Sequence, residues 1–129
     1  MIKENYKILI VDDEEGMRQI FKKALSLEGF YTDTVGTGEE AIKLLNNDNY
    51  NLAFIDLKLP DISGVEIIKN IDTEKIYTVM ITAFATVETA VNAMKLGARD
   101  YIKKPFDIND VISIVKRQYN KNINKGNFS

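Results

Sequence analysis

Residues 8–16 read ILIVDDEEG: four apolar residues run straight into four carboxylates, Asp12, Asp13, Glu14 and Glu15. A continuous apolar run of this length suits a strand covered on both faces, as parallel sheets require. The acids then fall where that strand ends. Asp13 is a candidate cap for a following helix, and Glu14 and Glu15 suit the positive end of its dipole.

Four further β-like runs follow the first, which spans Lys7–Val11. They are predicted at Tyr31–Val35, Leu52–Ile55, Thr78–Ile81 and Asp100–Lys103. Between and after them lie amphipathic segments, predicted as helices over 14–28, 38–47, 64–71, 87–96 and 108–119. In the first, Met17, Ile20, Phe21, Ala24 and Leu25 recur at helical spacing. Thr37-x-x-Glu40 and Ser63-x-x-Glu66 have capping-box form, and Gly29 and Gly97 stand where helices end. The domain is therefore predicted over residues 1–119, with the polar, aperiodic 120–129 as a tail or the start of a linker.

Strict βα alternation calls for one doubly wound α/β domain with helices on both faces of a parallel sheet. The runs ILIV, LAFI and TVMI are nearly all apolar and suit central strands. YTDTV alternates with polar residues, and the last run is short and charged, so the second and fifth strands suit the edges. Right-handed crossovers then give the order 2-1-3-4-5.

In such a sheet, function gathers beyond the carboxyl ends of the strands where strand order reverses, here between the first and third. The first strand ends in Asp12 and Asp13, the third in Asp56, the fourth in Thr82, and the fifth runs into Lys103-Lys104-Pro105. Carboxylates brought this close repel unless neutralised. A hard divalent cation such as Mg²⁺ takes oxygen ligands of this kind and keeps waters for a phosphate.

Composition narrows the chemistry further. The 129 residues are 45% hydrophobic and 28% charged, ordinary for a soluble domain, and include neither Cys nor His. That removes disulfides, thiolate or imidazole nucleophiles and soft-metal sites, and agrees with a cytoplasmic location. A net charge of −2 gives no drive towards nucleic acid, and no apolar run is long enough for a membrane helix.

The motifs ILIVDDEEG, LAFIDLKLPDISGVEII, VMITAFA and AMKLGARDYIKKPFD together resemble the receiver domains of bacterial two-component response regulators, across residues 6–119. The resemblance implies a (βα)5 flavodoxin-like fold and a phosphoacceptor role. Asp56 would take a phosphoryl group from a histidine kinase or histidine phosphotransfer protein. Asp13 and Asp56 would hold Mg²⁺ (with Mn²⁺ as the alternative) directly, Asp12 mainly through water, and the backbone carbonyl of Lys58 would complete the set. Lys104 would pair with Asp56 and then with the phosphoryl group. Thr82 would move onto a phosphoryl oxygen, Ala83 would leave room beside the acceptor, and Tyr101 would swing inward. The Lys104–Pro105 bond would be cis. Lys58 and Phe84, two residues beyond the acceptor and the Thr, would tune the lifetime of the phosphoryl group.

Such a domain is no turnover enzyme; it catalyses only its own phosphorylation and dephosphorylation. The helix 4–strand 5–helix 5 face would switch and carry the output, with no direct contact to nucleic acid or membrane. A phosphatase of the haloacid dehalogenase type would need an acid where Lys58 stands. An FMN carrier would need a hydroxyl- and Gly-rich phosphate loop where DDEEG stands. A degenerate receiver would not keep Asp12, Asp13, Asp56, Thr82 and Lys104 together. Two readings of the output stay open: a stand-alone phosphorelay receiver, or the N-terminal receiver of an ATP-dependent transcriptional activator.

Overall fold

The computed structural model describes residues 3–124, which form five strands and five helices in strict alternation. The strands are β1 (Lys3–Val11), β2 (Phe30–Val35), β3 (Leu52–Ile55), β4 (Tyr77–Thr82) and β5 (Asp100–Lys103). The helices are α1 (Glu15–Leu27), α2 (Gly38–Asn47), α3 (Gly64–Lys69), α4 (Val87–Lys95) and α5 (Ile108–Asn124). All strands pair in parallel in the order β2-β1-β3-β4-β5, with the alternating second strand and the short, charged fifth at the edges as predicted.

Period-2 alternation splits the core in two. Ile8 and Ile10 of β1 join Phe21, Leu25, Phe54, Val111 and Val115 on the face covered by α1 and α5. Leu9 and Val11 join Ala41, Leu45, Ile67, Met80 and Ala93 beneath α2, α3 and α4. The middle strands are closed off on both sides: every residue of β3 is buried. A polar residue at the end of such a strand is therefore positioned by a packed core, not by a loose loop.

Two elements outrun their sequence signals. β1 begins at Lys3, because the Lys3 amide donates to the Gly29 carbonyl (2.7 Å) across a register shift between Lys3 and Lys7. α5 continues through 120–124, a stretch predicted as tail; its Tyr119 ring stacks edge-on against Tyr6 and Phe30 at 5.4 and 5.5 Å. The rest of the predicted tail, 125–129, lies outside the described residues. α3 is shorter than predicted: Asn70 ends it, its side-chain Nδ2 donating to the Glu66 carbonyl at 2.7 Å.

The caps also differ in detail. The Thr37 hydroxyl accepts from the Glu40 amide but donates to the Glu40 carboxylate, so the reciprocal bond of a capping box does not form. Ser63 caps α3 through the Val65 amide, at 3.1 Å. The reciprocal box in this fold is Thr86 with Thr89, at the start of α4. Gly29 and Gly97 adopt φ of 89° and 119°, the left-handed conformation expected after α1 and α4.

Candidate functional site

Parallel register brings the acids together. Val11 pairs with Ile55, so the next residues, Asp12 and Asp56, emerge side by side from β1 and β3. The Asp56 amide donates to the Val11 carbonyl (2.9 Å), and the Asp12 amide to the Val35 carbonyl (3.1 Å), extending the ladders into the site. Asp12 and Asp56 are buried, 1% and 5% exposed, whereas Asp13 faces solvent. One oxygen from each of these three carboxylates lies within 4.8 Å of the others.

Lys104 completes the arrangement from the loop after β5. Its Nζ sits 2.7 Å from Asp12 Oδ2 and 2.8 Å from Asp56 Oδ2. Burial alone would lower the Lys104 pKa, but hydrogen bonds to Asp12 and Asp56 outweigh it and hold it above the ordinary lysine value. The remaining oxygens accept main-chain amides: Asp12 Oδ1 from Glu14 (2.9 Å) and Asp56 Oδ1 from Lys58 (3.2 Å). Three carboxylates against one ammonium leave a net charge of about −2 on oxygen donors. That donor set fits a hard divalent cation.

The structure brings the other predicted residues to the same edge. Thr82 is fully buried, its hydroxyl accepting from the Phe84 amide at 3.1 Å, and its carbonyl accepts from the Lys104 amide at 2.9 Å. Ala83 is exposed beside it. The Lys104–Pro105 bond is cis. Lys58 Nζ lies 4.5 Å from the centroid of the exposed Phe84 ring, so the β3 and β4 loops touch above the site. Tyr101 is half-buried and turned to α4, its hydroxyl 2.8 Å from Thr89 Oγ1.

Three contacts were not legible in the motifs. Arg18 on α1 donates from Nη1 to the Asp12 carbonyl at 2.7 Å, and that guanidinium packs against Gly36. Gly64 leaves no room for a β-carbon beside the Asp56 carbonyl and Leu57. Glu14, assigned to the helix start, occupies the N-cap position without a side-chain cap bond; its carboxylate lies 3.8 Å from Lys104 Nζ. Asp12, and not Asp13, accepts a main-chain amide at the entry to α1, that of the N-cap residue Glu14.

Fold and site together define a class: a doubly wound α/β domain whose acidic switch point is built to hold a divalent cation. The family model of the response regulator receiver domain matches residues 8–116. The chain belongs to that family. It is 36% identical over 113 residues to the regulatory protein AtoC of Escherichia coli (strain K12), covering 86% of this chain and 24% of AtoC. It is 32% identical over 115 residues to sporulation initiation phosphotransferase F of Bacillus subtilis (strain 168), covering 88% of this chain and 93% of that protein. A CheY-like receiver domain protein from Methanospirillum hungatei JF-1 superposes with a TM-score of 0.87 at 30% identity, covering 93% of this chain and 98% of that one. The Thermotoga maritima response regulator TrrA, solved with Mg(2+)-BeF, gives 0.78 at 32% identity, covering 88% and 98%. The chain thus spans about a quarter of AtoC and nearly all of phosphotransferase F. No helix among the described residues is long and apolar enough to cross a membrane.

Proposed function

We propose that Asp56 is the phosphoacceptor, taking its phosphoryl group from a phosphohistidine on a cytoplasmic kinase or phosphotransfer protein. A carboxylate oxygen of Asp56 attacks phosphorus in line with the P–N bond. That bond breaks as the P–O bond forms, and the imidazole takes the bonding pair and leaves neutral because its other ring nitrogen already carries a proton. Asp12, Asp13, Asp56 and the Lys58 carbonyl would hold Mg²⁺, which, when bound, neutralises charge on the phosphoryl oxygens. Mn²⁺ presents the same hard charge to these ligands.

The observation that carries this reading is Lys104, whose ammonium bonds to Asp12 and Asp56 at once. A group so placed is ready to exchange a carboxylate oxygen for a phosphoryl oxygen. The Thr82 hydroxyl, now held by the Phe84 amide, is the second donor that would turn towards the phosphoryl group. Its movement draws on the β4–α4 loop, and for Tyr101 to turn inward it must leave Thr89. These shifts would bias the α4–β5–α5 face, where Val87, Val91 and Met94 form an exposed apolar row for the output partner. The domain itself turns over no substrate beyond its own phosphorylation and dephosphorylation. Phosphotransferase F supports a relay role, and AtoC supports a receiver that controls a larger regulator.

The test is intact mass after incubation with acetyl phosphate. Wild type should gain one phosphoryl group only with Mg²⁺, and Asp56→Asn should gain none. A Mg²⁺-dependent gain of the same size in Asp56→Asn would remove Asp56 from the role.

The Lys58–Phe84 contact predicts a slow intrinsic loss of the phosphoryl group, because the pair covers the approach of water. An exposed cation–π contact contributes up to about 1 kcal/mol, so opening it should speed hydrolysis by about fivefold. Decay of the phosphorylated form should therefore be faster in Lys58→Asn/Phe84→Ala than in wild type. Equal decay in the two proteins would show that the pair is no shield.

A further inference from the structure

The opposite edge of the sheet, at the amino ends of the strands, carries a second polar feature that the phosphoacceptor chemistry does not use. A cleft of ≈ 390 Å³ opens there between the start of β4, the start of β5 and the end of α5. Lys75, Arg99 and Lys121 line it, with Glu74 as the one carboxylate among its lining residues. None of the three cations forms an ion pair among the described residues. In a chain of net charge −2, this leaves a local excess of two positive charges among the lining residues.

The tyrosines sharpen the chemistry. Tyr6 is only 2% exposed, its ring clamped edge-on by Phe30 and Tyr119. Its side chain lines the cleft. Burial, and then the neighbouring Tyr77, push the Tyr6 pKa far above its ordinary value, so the group stays a donor. Tyr77 stands across from it, with the Arg99 guanidinium 5.9 Å from its ring centroid. Asn51, Gln118 and Asn122 add amide groups that can donate or accept, so the charge balance of the lining is three cations against one carboxylate. An apolar ligand would gain little from such walls, and a cation would be repelled.

We propose that this cleft binds a small polyvalent oxyanion, held by Lys75, Arg99 and Lys121 and accepting a hydrogen bond from the Tyr6 hydroxyl. Its volume falls within the range of small-molecule sites. Phosphate and polycarboxylate oxygens share the required chemistry, and the test separates them. The site is independent of Asp56, which lies at the other ends of the strands.

Binding of inorganic pyrophosphate and, separately, of citrate should be measured by calorimetry on the full chain, in metal-free buffer at fixed ionic strength. At least one should bind saturably at one site: pyrophosphate alone marks a phosphate site, citrate alone a carboxylate site, and both a general polyanion site. Arg99→Gln/Lys121→Gln should weaken that binding by about tenfold or more, since both residues are exposed and charge-assisted bonds are lost. Tyr6→Phe should weaken it by about threefold without lowering the melting temperature. Lys43→Gln on α2 and Asp56→Asn should bind as wild type does. No saturable binding of either anion would overturn the proposal, as would equal binding by wild type and Arg99→Gln/Lys121→Gln.

Discussion

Gly64→Ala should slow the phosphorylation of Asp56 by about a hundredfold, although Gly64 touches no reacting atom. A β-carbon there would run into the Asp56 carbonyl oxygen and come within 3.0 Å of Leu57 Cα and Met80 Cε. Met80 can turn its terminal methyl away, but the two main-chain atoms belong to the segment that carries the acceptor. The Gly64 amide also donates to the Leu57 carbonyl at 2.8 Å, tying the start of α3 to the end of β3. The added methyl group must therefore push α3 and the Asp56 backbone apart. A displacement near 1 Å is enough to cost about two orders of magnitude in a reaction that depends on alignment. Overpacking should also lower stability by about 1–3 kcal/mol. Gly38 supplies the comparison: a β-carbon there meets the Ile62 side chain, which can change rotamer. Initial rates with acetyl phosphate and Mg²⁺ should order as wild type, Gly38→Ala, Gly64→Ala. A Gly64→Ala rate within about threefold of wild type would show that Asp56 is not held through this contact.

This contact also shows where sequence reading stops. The order of strands was legible because burial on both faces leaves nearly unbroken apolar runs, as in LAFI, while an edge strand such as YTDTV alternates. The acids, Thr82 and Lys104 were legible because each ends a strand, and parallel register places strand ends together. Arg18 and Gly64 act on main-chain atoms of Asp12 and Asp56, and no side-chain pattern encodes such partners. The early start of β1 and the long α5 have the same origin. Both rest on Lys3, Phe30 and Tyr119, which meet only after the chain has folded; Lys3 Nζ lies 4.7 Å from the Phe30 ring centroid and 5.6 Å from that of Tyr119. Thr37-x-x-Glu40 misled because spacing does not say which atom the glutamate will take. Part of the capping of α2 comes instead from Asp61, whose carboxylate accepts from the Gly38 and Glu39 amides at 2.9 Å each.

The second large effect is expected at Lys104. Lys104→Met keeps the length of the side chain and removes the charge that Asp12 and Asp56 share. Both carboxylates are buried and keep their hydrogen bonds to main-chain amides, so they remain facing each other without a cation. Removing one partner of a buried ion pair costs about 3–5 kcal/mol, and the lower end applies here because Asp13 and Glu14 open the site to water. Metal-free Lys104→Met should therefore be less stable than wild type by about 3 kcal/mol in urea unfolding. A divalent cation can replace the lost charge. Saturating Mg²⁺ should then stabilise the variant more than it stabilises wild type, since ligand binding adds to folding free energy by a term that rises with the logarithm of its affinity for the native state. The pH dependence follows from the raised Lys104 pKa. Its contribution is fully present below the pKa of an unfolded lysine and is lost only as pH rises through the higher folded value. The gap between wild type and variant should thus stay constant through neutral pH and close in strong alkali. Equal metal-free stability of the two proteins would mean that the carboxylates are neutralised by some means other than Lys104.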